Sequence, residues 1–122
     1  MRFTQEPSVG TNLIRAYGGG ELRVNDDVYR GAVILSGTEI LSEPGIRELC
    51  DALKIDPARI FALGPEVVLL GTGQRQIFPP ASFGAHFLQV GIGFEAMDTA
   101  AACRTFNVLA AEQRRVVAVL LL

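Results

Sequence analysis

Val67-Val68-Leu69-Leu70-Gly71-Thr72-Gly73 decides the fold. Four apolar residues in a row, two of them β-branched, stopped by a Gly-Thr-Gly exit, read as a strand buried on both faces. Such strands belong to parallel sheets, and parallel sheets need helical crossovers. The chain downstream supplies them. Pro79-Pro80 opens a short helix with Phe83, Phe87 and Leu88 inward, closed by Gly91 at the left-handed C′ position. Ile92 to Met97 is the next strand. Asp98 caps a helix over Thr99 to Glu112 whose buried face is Ala102, Phe106, Leu109 and Ala110. Arg114 leads into a last strand, Val116 to Leu121. Strand–helix–strand–helix–strand with short connections is the sequence form of paired βαβ units.

Upstream the pattern is different. Asn12 to Tyr17 and Glu21 to Val24 are short strands separated by Gly18-Gly19-Gly20. The turn cluster Asn25-Asp26-Asp27 precedes a longer strand, Val28 to Leu35. Tight Gly and Asx turns between three strands predict an antiparallel meander. From Ser42 the spacing of Ile46, Leu49, Cys50 and Leu53 predicts an amphipathic helix, with Ser42 as N-cap, Pro44 in the first turn and Asp56-Pro57 as exit. Cys50 then belongs to the core. The last strand, as an edge, would offer itself to a second copy of the chain, so a homodimer is one expectation. The fold class is α/β. A single three-layer domain over residues 12–122, with a mixed central sheet, flanking helices and an N-terminal antiparallel meander, follows a poorly ordered lead-in over residues 1–11.

Composition narrows the functions open to such a domain. The chain has 122 residues, 49 % hydrophobic and 20 % charged, with 11 basic and 13 acidic side chains for a net charge of −2. That balance excludes disorder and offers no electrostatic footprint for nucleic acid or anionic lipid. The longest apolar run, Val116 to Leu122, is far short of the roughly 20 residues that cross a bilayer, so no membrane insertion is expected. No apolar h-region or Arg-rich leader is seen at the start, and Cys50 and Cys103 read as free thiols, so the expected location is the cytoplasm.

Ligands of open α/β sheets sit beyond the carboxyl ends of strands, at helix N-termini. Gly71, Thr72 and Gly73 should meet Asp98 and Thr99 there, with Arg75 near enough to neutralise an anion. Arg104, on the polar side of its helix, is a rim residue suited to a ligand or partner. These seven are the candidate binding residues. Gly-Thr-Gly lacks the third glycine of a dinucleotide fingerprint and there is no P-loop lysine, so no cofactor is implied. His86 is read as a half-buried packing residue and Cys103 as an inert, partly buried thiol. No two carboxylates are placed for catalysis, and no metal site is assembled.

Three stretches in order carry a resemblance: Leu70-Gly71-Thr72-Gly73, Phe78-Pro79-Pro80, and Gly91 to Leu109, G-I-G-F-E-A-M-D-T-A-A-A-C-R-T-F-N-V-L. They are similar to a family of small uncharacterised domains, over about Asn12 to Leu122. That family includes the mitochondrial complex I assembly factor 3, the adipogenesis-associated domain protein of animals and many bacterial members. The resemblance implies a three-layer α/β fold around a mixed sheet, and no catalytic residues come with it. The family usually has Tyr where this chain has Phe106, so no mechanism needing a phenol there applies. Residues and resemblance together favour a non-catalytic accessory domain with a protein partner, in the manner of an assembly factor. The alternative is a small-molecule or enzymatic crevice at the strand ends.

Overall fold

The computed structural model describes residues 11–122. All but the last residue of the expected lead-in therefore lies outside the described residues. The meander is present: β1 (Ile14–Gly18), β2 (Glu21–Val24) and β3 (Asp27–Arg30) pair antiparallel in that order. Gly19 and Gly20, both at positive φ, make the first turn, and Asn25 at φ +54° begins the second. Left-handed residues there match the twist of the flanking strands.

The expected strand from Val28 to Leu35 is broken in two. Gly31 stands at φ +85°, and a Cβ on it would lie 2.6 Å from Pro44 Cα. The chain turns at this glycine and β4 (Ala32–Leu35) leaves the meander for the main sheet. Pro44 is therefore packed against Gly31 and does not open a helix.

Ser42 likewise sits in a strand missed by the periodicity, β5 (Ile40–Glu43), antiparallel to β4. The helix expected from Ser42 shrinks to one turn, α1 (Leu49–Ala52), where Ala52 is buried and Cys50 is exposed. Cys50 is thus not a core residue: with so short a helix the i, i+3, i+4 stripe never forms. Asp56-Pro57 is an entry, not an exit. Asp56 Oδ1 accepts from the Ala58 amide at 3.0 Å, and Pro57 is the first residue of α2 (Pro57–Phe61).

The second half follows the expected alternation: β6 (Val67–Gly71), α3 (Ala81–Leu88), β7 (Gly93–Met97), α4 (Thr99–Ala111) and β8 (Val116–Leu121). The five-stranded sheet runs β5-β4-β8-β6-β7, with β6 parallel to both β7 and β8, and β4 antiparallel to β8. β8 is central. Both its edges are occupied, so pairing with a second copy along it is closed off.

Strand parity divides the interior. Val116, Ala118 and Leu120 face the meander and α4, with Leu22, Val24 and Phe106; Val117, Val119 and Leu121 face α1, α2 and α3, with Ile60, Phe83 and Phe87. One sheet between two cores makes the three layers.

Candidate functional site

β6 and α4 meet as the alternation of elements implies. A Cβ on Gly71 would lie 2.9 Å from Thr99 Oγ1 and 3.1 Å from Thr99 Cα, so only glycine lets strand and helix approach this closely. Thr99 is fully buried. Its hydroxyl donates to Leu121 O at 2.6 Å and accepts from Gly73 N–H at 2.8 Å, while its own amide donates to Gly73 O at 2.8 Å. Thr72 donates its hydroxyl to Arg75 O at 2.7 Å and accepts from Ile77 N–H at 3.1 Å. Asp98 Oδ1 caps α4 through the Ala101 amide at 2.8 Å. Hydroxyls and amides that could have faced a ligand here bond to one another and brace the carboxyl ends of β6, β7 and β8. The side chains of Arg75 and Arg104 stay outside this brace and are exposed.

Arg104 instead borders a concavity of about 230 Å³ between β1 and α4, shared with Arg15, Tyr17, Cys103 and Asn107. Asn107 holds the strand to the helix: its Nδ2 donates to Ile14 O at 2.8 Å and its Oδ1 accepts from Ile14 N–H at 3.0 Å. Cys103 is buried, as expected of an inert thiol, and desolvation pushes it up to about 11 against a smaller downward pull from Arg104. At neutral pH it is a protonated apolar surface, a poor nucleophile. Burial likewise raises the Tyr17 phenol, which stays a donor.

A second concavity, about 330 Å³, lies on the opposite face of the sheet between α3 and β7. Phe78, Pro80, Leu88 and Ala96 line it, and Gly84 allows Phe94 to lie flat beneath α3, since a Cβ would sit 2.7 Å from the Phe94 ring. Phe94 stacks on Phe87 at 5.8 Å and meets Phe83 edge-on at 5.7 Å. Phe83 and Phe87 point inward as expected, but Leu88 is 59 % exposed and opens onto the groove. His86 is exposed on the outer face of α3 instead of half-buried. Both follow from an eight-residue helix that covers the sheet with one narrow stripe.

A family model described as a protein of unknown function, DUF498/DUF598, matches residues 14–121. The chain belongs to the DUF498/DUF598 family. Among curated relatives, a Francisella tularensis protein named 13 kDa major membrane protein is 29 % identical over 117 residues, covering 95 % of each chain. Among solved structures, a Bordetella parapertussis protein aligns with a TM-score of 0.83 at 37 % identity, over 94 % of this chain and 98 % of that one. A Bordetella pertussis protein described as a Mth938-like domain aligns at 0.78 with 31 % identity, over 99 % and 92 %. The fold implied by the resemblance is thus shared with these two Bordetella structures.

Within this DUF498/DUF598 domain, the strand-end contact has a local signature in Gly71-Thr72-Gly73 and Asp98, and Arg104 lies on the polar side of its helix. Arg15, Tyr17 and the groove under Phe78 have no such signature. Arg15 and Arg104 are 89 positions apart, and nothing local to either announces the other. Phe78 belongs to the Phe78-Pro79-Pro80 motif, yet no periodicity reveals that a residue in an irregular loop projects outward. Among the described residues, no helix is long and apolar enough to cross a membrane.

Proposed function

We propose that the domain works by binding a protein partner, as an accessory or assembly factor, and not by transforming a substrate. One observation carries the reading: an exposed apolar groove lies directly beside an open strand edge. Phe78 is 82 % exposed, Leu88 59 % and Ile77 43 %, a patch that soluble domains usually keep for recognition. β7 is the last strand of its sheet. Gly93 N–H donates to Glu66 O and Met97 O accepts from Thr72 N–H, so odd-numbered residues of β7 face β6. Phe94 and Ala96 therefore direct their backbone N–H and C=O outward, with Ala96 O approached by Gln76 Nε2 at 3.3 Å.

The occupant is an extended segment of another protein, added as a sixth strand, with apolar side chains at alternate positions laid on Phe78 and Leu88. Glu95, the charged residue bordering the groove, favours a basic residue in that segment. Assembly of a respiratory complex, the role of mitochondrial relatives in the resemblance, is one form of such a partnership. The location proposed for the domain is the cytoplasm. A relative named as a membrane protein makes a membrane-bound partner the first to look for.

A photo-crosslinking residue at Phe78 in the native cell tests this. The expected result is one stoichiometric adduct with a defined protein, recovered by fractionation and lost when Ala96→Pro removes an outward N–H from the edge, a place where proline is tolerated. No adduct, an adduct indifferent to Ala96→Pro, or an adduct only with a second copy of the chain overturns the reading.

A further inference from the structure

We propose that the concavity between β1 and α4 binds a small organic oxyanion, a carboxylate or phosphate monoester carrying a ring or short chain. It lies on the opposite face of the sheet from the groove of α3 and β7, so the two readings stand or fall separately.

The site is built by a strand irregularity. In the pairing of β1 with β2, Ile14 faces Val24 and Ala16 faces Arg23, so Arg15 is an inserted residue with no partner in the register. Bulges of this kind re-aim a side chain and recur beside functional sites. Here Asn107 fixes the bulge by taking both backbone groups of Ile14. Arg104, one helical turn before Asn107, lines the same concavity as Arg15.

Two arginines from distant parts of the chain thus border one cavity. Among the described residues neither has a carboxylate within ion-pair distance. Arginine presents a rigid fork that matches a carboxylate or phosphate through paired hydrogen bonds. Tyr17 lines the same cavity with its phenol against Thr99, and Ala100 brings the first turn of the 13-residue α4, with its positive dipole end, to the rim. The Asp98 carboxylate caps the helix through Oδ1, and its charge also reaches the Tyr17 phenol.

Beneath this polar mouth Ile14 and the protonated Cys103 form an apolar floor. A volume of about 230 Å³ falls short of the roughly 300 Å³ where drug-sized pockets begin. It exceeds the roughly 150 Å³ of a cavity that holds benzene. One ring or a short acyl chain fits, with its charge at the mouth.

Backbone amide NMR with benzoate and phenyl phosphate as probes, and benzyl alcohol as the uncharged control, tests the assignment. Shift changes should centre on Arg15, Tyr17, Cys103 and Arg104 for at least one anion and be absent with the alcohol; which anion binds more tightly tells carboxylate from phosphate ligands. Arg104→Ala and Arg15→Ala should each weaken binding by roughly tenfold to a hundredfold, the worth of a charge-assisted hydrogen bond, while Arg75→Ala leaves it unchanged. Both arginines are exposed, so the spectra of the variants will show an intact fold. No shift with either anion at millimolar concentration, or binding indifferent to both arginines, overturns the proposal.

Discussion

Gln113 ends α4 in a conformation that costs energy. Its φ is +63°, its amide donates to Ala110 O, and the Arg114 amide donates to Leu109 O. This is the closure α3 uses at Gly91, where Gly91 N–H bonds Leu88 O and Ile92 N–H bonds Phe87 O. Glycine adopts the left-handed region without a Cβ clash, and glutamine does not. Gln113→Gly should therefore raise stability by about 0.5–1 kcal/mol, seen as a higher urea midpoint at unchanged slope. Cys103 supplies a second test at this scale. The unfolded thiol ionises near its ordinary 9.0 and the folded one near 11, so the unfolded state loses its proton first. The Cys103 contribution is level below pH 9 and falls as pH rises from 9 towards 11, with Tyr17 acting in the same direction above its ordinary 10.0. Urea titrations across that window should show the fall, made shallower in Cys103→Ala. At neutral pH iodoacetamide should modify the exposed Cys50 and spare Cys103 until the chain unfolds.

Among the elements, β1 is held at its start by α4 as well as by its own sheet. Ile14 gives both backbone groups to Asn107, and the pairing with β2 resumes only at Ala16. Asn107→Ala should leave these part-buried groups unsatisfied and cost about 1–3 kcal/mol. Hydrogen exchange should speed up at Ile14 and its neighbours while amides of β8 keep their protection; uniform acceleration would show that the clamp has no local role. Elements differ in the same way in how far residues alone announce them. From Val67 onward each strand is apolar on the faces it buries, and each helix carries its own cap or left-handed stop, so local rules agree with the fold. Between Val28 and Asp56 they conflict. Ser42 and Pro44 imitate a helix start, but Gly31 needs Pro44 beside it and β4 needs β5 along its edge. Both requirements are tertiary and leave no periodic trace. The candidate sites divide likewise: Asp98, Thr99 and the Gly-Thr-Gly exit each carry a local signature, whereas the Arg15 bulge exists only once β1 meets α4.

For the whole molecule, the main question is whether meander, sheet and helices fold as one unit. β4, β6 and β8 each send alternate side chains into both cores, so neither core can be dismantled without loosening strands the other uses. Ladder pairs such as Ala32 with Leu121 also tie the N-terminal half to the last strand, so the meander's neighbours are completed only when β8 docks. A single cooperative transition is expected over residues 12–122. Ile14→Val in the meander core and Ile60→Val in the opposite core test it. Each removes one buried methyl group and should cost about 0.5–1.5 kcal/mol. The sites lie on opposite faces of the sheet, so the double variant should equal the sum to within about 0.3–0.5 kcal/mol. If the molecule is one unit, fluorescence from the tyrosines of the meander and circular dichroism of the helices report the same midpoint in all four proteins. If the meander is a separate unit, Ile14→Val will move only the tyrosine transition and Ile60→Val only the helical one. Two midpoints would then replace one.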